Sequence, residues 1–248
     1  NFFTNISHEL RTPLTLIIDP LARLLAESNS QGERFKLEIV KRNADRLLKL
    51  VNELLDVRKA EEGNKKIHLQ PTNLSEFIDG IRQSFLLIAT ERGLGIDVIF
   101  KLENQQVFID REGMETVLYN LLMNAFKNAK EHSTVTLSVE LVENENYTNE
   151  IELVVANDGD PVSANDLQKI FEPFYQAASG HSSGMQGTGL GLTITRQLVE
   201  LHGGRISADS VDGHTRFVVY LPYRQADSVI PSVEADASEF KSNLFSIA

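Results

Sequence analysis

The sequence predicts two folded parts: a helical hairpin that forms a four-helix bundle in a homodimer, followed by a two-layer α/β sandwich. Apolar residues recur with heptad spacing in the first part, and strand and helix patterns mix in the second. The charge balance also changes, from 12 Lys and Arg against 10 Asp and Glu over residues 1–66 to 12 against 25 over residues 67–248. We therefore predict domains at 1–66 and 67–224, and a linker or disordered tail at 225–248.

Composition excludes several classes of protein. The chain has 248 residues, of which 42% are hydrophobic and 24% charged, as in globular proteins. The absence of cysteine excludes disulfides and a cysteine nucleophile. A net charge of −11 argues against nucleic-acid binding, and no apolar run is long enough to cross a bilayer, so we expect no direct membrane contact. The start at Asn1, inside a helical pattern, indicates a fragment of a longer protein.

The hairpin is predicted from two helical patterns separated by a polar break. In the first helix Phe3, Leu10, Ile17 and Leu24 recur every seven residues. A break at 28–32 follows, and the second helix repeats apolar residues at Leu37, Val40, Ala44, Leu47, Val51 and Leu54. Two helices alone bury too little apolar surface to be stable, so a second copy is expected to complete a four-helix bundle.

One histidine of the first helix is predicted to face away from the bundle. With Phe3 and Leu10 at heptad position a, His8 falls at position f, where its imidazole faces solvent. Glu9 is its neighbour and Thr12 lies one turn further on the same face. A lone exposed histidine is more often an ordinary surface residue, so this position alone does not indicate chemistry.

The second part alternates strands and helices in an order that predicts one helical layer on a mixed sheet. The predicted strands cover residues near 67–70, 96–102, 106–109, 134–142, 151–156, 205–209 and 215–221, and the predicted helices cover 74–92, 111–130, 164–171 and 190–201.

The helix over 111–130 carries an unusual polar stripe formed by Asn120, Asn124, Lys127 and Asn128. Asparagine is a mediocre helix former, so three asparagines within nine residues suggest a function. A neutral carbonyl oxygen suits magnesium, and a nearby lysine suits the phosphate that carries it. An ordinary solvent-facing stripe is the alternative.

Two glycine-containing turns complete the candidate binding residues. The first follows a strand, where Asn157 offers an amide to a base edge and Gly159 permits close approach of a flat ligand. The second, GTGLGL, places Gly187, Gly189 and Gly191, with Leu190 between them, at the start of a helix whose free N–H groups can meet phosphate. The small, polar segment 177–186 before it is predicted to form a lid.

Taken together, these motifs resemble the sensor histidine kinases of two-component signalling. FFTNISHELRTPL resembles the phosphoacceptor box, YNLLMNAFKNA the asparagine box, NDG the first glycine box, FEPFYQ the phenylalanine box and GTGLGL the second glycine box, in the family's order. The resemblance implies an ATP-binding fold shared with Hsp90 and gyrase. It also implies ATP and magnesium as ligands, a homodimer, and a response regulator receiver domain, separate or fused, as partner.

The resemblance further implies a role for each matching residue. His8 is the expected phosphorylated nucleophile, Glu9 the base that accepts from its ring, and Thr12 the residue that orients water when a phosphorylated partner is dephosphorylated. Asn124 is expected to coordinate magnesium, with Asn120 supporting the site. Lys127, Gly187, Gly189, Leu190 and Gly191 are expected to contact or frame the phosphates. The chain is then expected to be the cytoplasmic portion of a membrane-anchored sensor.

Three positions depart from the family pattern. Asn157 stands where an aspartate usually accepts from the adenine amino group, Pro161 replaces a glycine, and Asn128 replaces a frequent aromatic residue. Weaker adenine binding is therefore expected. Two other functions remain open from the sequence: a catalytically degenerate dimer scaffold, and an ATP-driven conformational module like Hsp90 or gyrase.

Overall fold

The chain forms two compact units, Asn1–Lys65 and Lys66–Ala248. The computed structural model describes residues 67–102, 106–144, 146, 148–177 and 188–223, together with scattered helical residues between Ile17 and Val51. The predictions for His8, Glu9, Thr12, Gly187, most of the lid segment and the tail 225–248 lie outside the described residues. Within the described part, no helix combines the length and apolarity needed to span a membrane.

Unit one shows helical residues in both halves of the predicted hairpin. Ile17 and Leu24, seven residues apart, are 49% and 51% exposed, and Val40 and Leu47, also seven apart, are 48% and 50% exposed. Two pairs of large apolar side chains at heptad spacing are thus left half-exposed in the single chain.

Unit two contains seven strands and four helices within its described residues. In chain order they are β1 (Gln70–Asn73), α1 (Leu74–Arg92), β2 (Gly95–Lys101), β3 (Gln106–Ile109), α2 (Arg111–Asn128), β4 (Thr134–Glu143), β5 (Asn149–Asp158), α3 (Ala164–Lys169), α4 (Gly191–Leu201), β6 (Arg205–Val211) and β7 (His214–Pro222).

Five of the strands form one mixed sheet in the order β2-β4-β5-β7-β6. The pair β2 and β4 is parallel, and every other neighbouring pair in this sheet is antiparallel. Strands β1 and β3 form a separate antiparallel pair. Strand β5 lies between β4 and β7, and its last two residues, Asn157 and Asp158, pair with β7.

A single helical layer covers one face of this sheet, which confirms the predicted α/β architecture. Alternate residues of β4 and β5 are buried, as expected for strands with one face on a core. Helix α2 is the centre of the layer, because its buried side chains meet both the sheet and helix α4. The buried residues of α2 are Gly113, Met114, Val117, Leu118, Leu121, Leu122, Ala125 and Phe126.

Side-chain caps fix where most of these helices begin. Asn73 accepts from the backbone N–H of Glu76 and starts α1, and Asp110 accepts from Gly113 and starts α2. Ser163 caps α3 by accepting from Asp166. Each cap satisfies a backbone donor that has no intrahelical partner, which is worth about 1 kcal/mol.

The imidazole of His202 links the end of α4 to the start of α2. Its Nε2 accepts from the backbone N–H of Asp110 at 3.1 Å, and its Nδ1 donates to the carbonyl of Leu198 at 2.6 Å. The side chain is 3% exposed, and Gly113 lies directly against the ring, where an added Cβ would be 3.3 Å from Cε1. A neutral imidazole therefore serves as a buried cross-link between the two helices.

Most elements have limits that differ from the prediction by one to three residues, and two of these differences change how residues are placed. The first strand begins at Gln70 instead of near residue 67, because its pairing with β3 runs from Gln70 opposite Ile109 to Asn73 opposite Gln106. Strand β5 extends through Asp158, so Asn157 is a paired, buried strand residue instead of part of a turn. Its partner on β7 is Thr215, a contact that no local sequence pattern reveals.

We predict that His202→Leu lowers the free energy of unfolding by about 1–3 kcal/mol, because the buried N–H of Asp110 loses its acceptor. Urea denaturation followed by circular dichroism measures the change. The control is His214→Leu, because His214 is exposed and its contact with Asp158 is a surface pair worth about 0–1 kcal/mol. Equal stability of the His202→Leu variant and the wild type would contradict the cross-link.

Candidate functional site

The end of helix α2 and the end of strand β5 are joined by backbone contacts. Ala129 and Gly159 form an isolated antiparallel bridge, and the N–H of Lys130 donates to the carbonyl of Asp158 at 2.8 Å. A Cβ on Gly159 would lie 2.4 Å from the carbonyl oxygen of Asn128. Only glycine therefore permits this junction, which brings the asparagine stripe of α2 beside Asn157.

Asn157 lies on the helix-facing side of β5 at this junction, because it continues the buried alternation of Leu153 and Val155. The residue is 2% exposed, and its Nδ2 atom is buried without a hydrogen-bond partner in the described part of the chain. An unpaired buried donor costs about 1–3 kcal/mol. A ligand that supplies an acceptor here would recover that cost.

The two asparagines nearest the end of α2 are bonded to one another. Nδ2 of Asn128 donates to the backbone carbonyl of Asn124 at 2.8 Å and to its side-chain Oδ1 at 2.9 Å. A carbonyl oxygen has two lone pairs, so Oδ1 of Asn124 keeps capacity for one further partner. The bond from Asn128 also holds the Asn124 side chain in one orientation.

Asn120 connects α2 to the beginning of α4. Its Nδ2 donates to the carbonyl of Gly191 at 3.1 Å and lies 3.5 Å from the Oγ1 of Thr195. The structure thus brings together Asn120 and Gly191, two of the predicted residues that are 71 positions apart in the sequence. The bond fixes the first residue of α4 against α2; the supporting role of Asn120 in nucleotide binding stays a prediction.

Lys127 is the positively charged residue of the asparagine stripe on helix α2. Burial lowers the pKa of its ammonium group, because desolvation disfavours the charged form. Within the described residues no carboxylate lies within ion-pair distance of this lysine, so no internal partner offsets the desolvation. An anionic ligand would supply the missing charge and raise the pKa again.

The N-terminus of α4 differs from those of the other described helices, since it has no side-chain cap. Its N-cap residue is Leu190, and the first turn contains no acidic residue. The uncapped N–H groups and the positive end of the helix dipole favour an anion at this position. Gly191 leaves room for one, because a Cβ there would make only ordinary contacts with the Asn120 side chain at 3.5 Å.

At position 189, glycine is required by the backbone conformation and by a neighbouring backbone segment. Its φ is +76°, and a Cβ would lie 2.7 Å from the backbone of Phe174. The N–H of Phe174 in turn donates to the carbonyl of Gly189 at 2.9 Å. This contact joins the FEPFYQ segment to the glycine turn.

These residues fit a magnesium nucleotide. One neutral carbonyl oxygen from Asn124 suits magnesium, whose other ligands are then phosphate oxygens and water. Among the described residues no group of three His, Cys, Asp or Glu side chains forms an alternative metal centre. Lys127 and the uncapped start of α4 suit phosphate, and the unpaired Asn157 amide suits a base edge.

Comparison with known proteins identifies the family. The family profile of the His Kinase A (phospho-acceptor) domain matches residues 1–63, and that of the histidine kinase-, DNA gyrase B- and HSP90-like ATPases matches residues 109–225. The chain belongs to the two-component histidine kinases. It is 36% identical over 223 residues to hybrid signal transduction histidine kinase D of Dictyostelium discoideum. The matched region covers 89% of this chain but only 14% of that protein.

Solved structures of histidine kinases share the fold. The full-length structure of ShkA in complex with AMPPNP has a TM-score of 0.79 at 24% identity, covering 90% of this chain and 46% of ShkA. Histidine kinase ThkA in complex with the response regulator protein TrrA has a TM-score of 0.62 at 24% identity, covering 89% of this chain and 60% of that one.

A polar cavity of about 490 Å³ lies at the other end of the sheet of this histidine kinase core, lined in part by Glu150, Arg205 and Tyr220. Glu150 and Asn157 lie seven positions apart on β5, which is about 23 Å along a strand. None of the described residues predicted for nucleotide binding lines this cavity, so it does not belong to the candidate site.

Sequence reasoning missed two positioning contacts of the kinase core. These are the buried cross-link of His202 to Asp110 and the contact of Phe174 with Gly189. The sequence His-Gly-Gly fits an exposed helix end equally well, so it does not indicate that the histidine is buried. Both contacts join residues distant in the chain, so no local signal indicates them.

We predict that Gly191→Ala weakens magnesium-ADP binding about tenfold, equivalent to 1.4 kcal/mol, because the new methyl group covers the anion-binding start of α4. The apo protein should keep its melting temperature, since the methyl group has space. Calorimetric titration measures the affinity. Gly80→Ala is the matched control, because that helix position has nothing within 4 Å of an added Cβ. Unchanged ADP affinity of Gly191→Ala would exclude phosphate from this helix end.

Proposed function

We propose that this chain binds ATP with magnesium in unit two and transfers the γ-phosphoryl group to His8. The junction of α2 with α4 carries the proposal. There Asn120 holds the first residue of an uncapped helix, and Lys127 and Asn124 lie on the same helix as Asn120. Such an arrangement supplies positioning and charge neutralisation, which are the main requirements of phosphoryl transfer.

The nucleotide is held by groups from three elements. Asn157 and Gly159 of the β5 end face the base, and Lys127 of α2 contacts phosphate. Gly187, Gly189, Leu190 and Gly191 frame the phosphates with backbone N–H groups. Asn124 is the protein ligand of magnesium, oriented by Asn128. Magnesium, when bound, neutralises charge on the phosphate oxygens during transfer.

His8 is the proposed acceptor. With a reference pKa near 6.5, a histidine is mostly neutral at pH 7, so one ring nitrogen has a free lone pair while the other carries the proton. Glu9 accepts a hydrogen bond from the protonated nitrogen and thereby selects the reactive tautomer. The free nitrogen attacks the γ-phosphorus, the bond to the bridging oxygen breaks, and ADP leaves.

The phosphorylated histidine then passes its phosphoryl group to an aspartate of a response regulator receiver domain. The receiver is a separate protein or a fused domain of the same polypeptide. Thr12 orients water when the same enzyme dephosphorylates that regulator. The structure of ThkA with a response regulator protein supports this class of partner. We propose that the chain acts as the cytoplasmic part of a membrane-anchored sensor.

Incubation with [γ-³²P]ATP tests the proposal directly. We expect an acid-labile, base-stable label on the protein, because phosphohistidine has that stability. His8→Gln should abolish the label and leave magnesium-ADP affinity unchanged, since position f lies outside the bundle seam. Release of free phosphate without labelled protein would favour an ATP-driven conformational module instead, and neither product would favour a degenerate scaffold. A labelled His8→Gln variant would exclude His8 as the acceptor.

The homodimer depends on the half-exposed apolar pairs of unit one. We predict that Leu24→Lys together with Leu47→Lys produces a monomer, because both replacements place charge in the seam between copies. Sedimentation velocity measures the change. Leu87→Lys, at a helix position of unit two that is 67% exposed, is the control and should leave the dimer intact. A dimeric double variant would place the interface elsewhere.

A further inference from the structure

Asn157 is the exception among the buried polar residues that the structure describes. Of the five others, four threonines bond to a backbone carbonyl or a hydroxyl, and His202 bonds through both ring nitrogens. Nδ2 of Asn157 is equally buried and has no partner within the described part of the chain. An unpaired polar group in a well-satisfied core points to a ligand.

The chemistry of an amide sets what that ligand can be. A side-chain amide carries one acceptor, the oxygen, and one donor, the NH₂ group, and a half-turn about the last side-chain bond exchanges them. No described acceptor holds Nδ2, so no bond from that donor pins the amide in one of these two orientations. The side chain can therefore present either a donor or an acceptor at the same place.

We propose that Asn157 makes the nucleotide site accept 6-oxo purine nucleotides as well as 6-amino purine nucleotides. This inference rests on the proposed nucleotide binding in unit two. With adenine, the amide oxygen accepts from the 6-amino group and Nδ2 donates to N1. With hypoxanthine, the reversed amide donates from Nδ2 to O6 and accepts from N1–H. Both bases obtain two complementary hydrogen bonds from one side chain.

No neighbouring carboxylate replaces the amide in this role. Asp158 follows Asn157 along β5 and therefore points to the opposite side of the sheet. Its carboxylate is exposed and lies 2.9 Å from Nδ1 of His214. A carboxylate at position 157 would only accept hydrogen bonds, so it would favour a 6-amino group and repel a 6-oxo group. The neutral residue thus removes a source of selectivity.

Gly159 lies directly beside the amide of Asn157. A Cβ on Gly159 would lie 3.1 Å from Nδ2 of Asn157 and 2.4 Å from the carbonyl oxygen of Asn128. A side chain at position 159 would therefore crowd both the amide and the backbone of α2. One glycine thus permits the junction between α2 and β5 and adds no methyl group beside the amide.

Calorimetric titration with magnesium-ADP and magnesium-IDP tests the inference. Neither nucleotide can donate a γ-phosphoryl group, so binding is measured without turnover. The two differ at position 6 and in the protonation of N1. We expect the dissociation constants of the wild type to lie within tenfold of one another. Asn157→Asp should raise the ratio of the IDP to the ADP dissociation constant at least tenfold, because a carboxylate still accepts from the 6-amino group of adenine but repels O6 of hypoxanthine.

Asn73→Asp is the matched control, because it makes the same replacement at an exposed helix cap where either residue caps well. The Asn73→Asp variant should have the same ratio of IDP to ADP dissociation constants as the wild type. The inference is overturned if the IDP and ADP dissociation constants of the wild type differ tenfold or more. It is also overturned if a folded Asn157→Asp variant raises the ratio of the IDP to the ADP constant less than tenfold. If the variant does not fold, the wild-type ratio alone decides. Absence of ADP binding in the wild type would instead overturn the proposed function.

Discussion

The packing of helix α2 against helix α4 is the constraint on which the nucleotide module depends. Polar contacts fix this interface near both ends, with Asn120 bonded to Gly191 at one end and His202 bonded to Asp110 at the other. Apolar side chains of both helices are buried between them. The asparagine stripe and the uncapped helix start belong to different parts of the chain, and this interface sets the distance between them.

The sequence predicted most elements of unit two, because periodicity, caps and turns act locally. Helix α1 and strand β3 have the predicted limits, and the asparagine stripe lies on a helix, as predicted. The burial of Asn157 was not predictable, since it depends on the pairing with Thr215 in β7. The cross-link of His202 has the same origin: its partner Asp110 is 92 positions away.

The glycines show that a motif glycine is not always there to contact a ligand. Gly159 is required by the carbonyl of Asn128, and Gly189 by its positive φ and by the backbone of Phe174. Gly191 has no such internal reason in the structure, since an added Cβ would fit. The two glycine motifs therefore contain glycines that the backbone requires, Gly159 and Gly189, and one that it does not, Gly191, and a sequence cannot separate the two kinds.

The charge distribution shows how an acidic module can bind an anionic nucleotide. Residues 67–248 contain 12 Lys and Arg against 25 Asp and Glu, so long-range attraction is not available. Charges farther apart than about 8 Å are largely screened at physiological ionic strength, which leaves the groups next to the phosphates to decide binding. Lys127 and the start of α4 are the proposed sources of positive potential at that range. The partial burial that lowers the pKa of Lys127 also reduces the screening of its charge, so the desolvation that destabilises the free ammonium would strengthen its pairing with phosphate in the proposed complex.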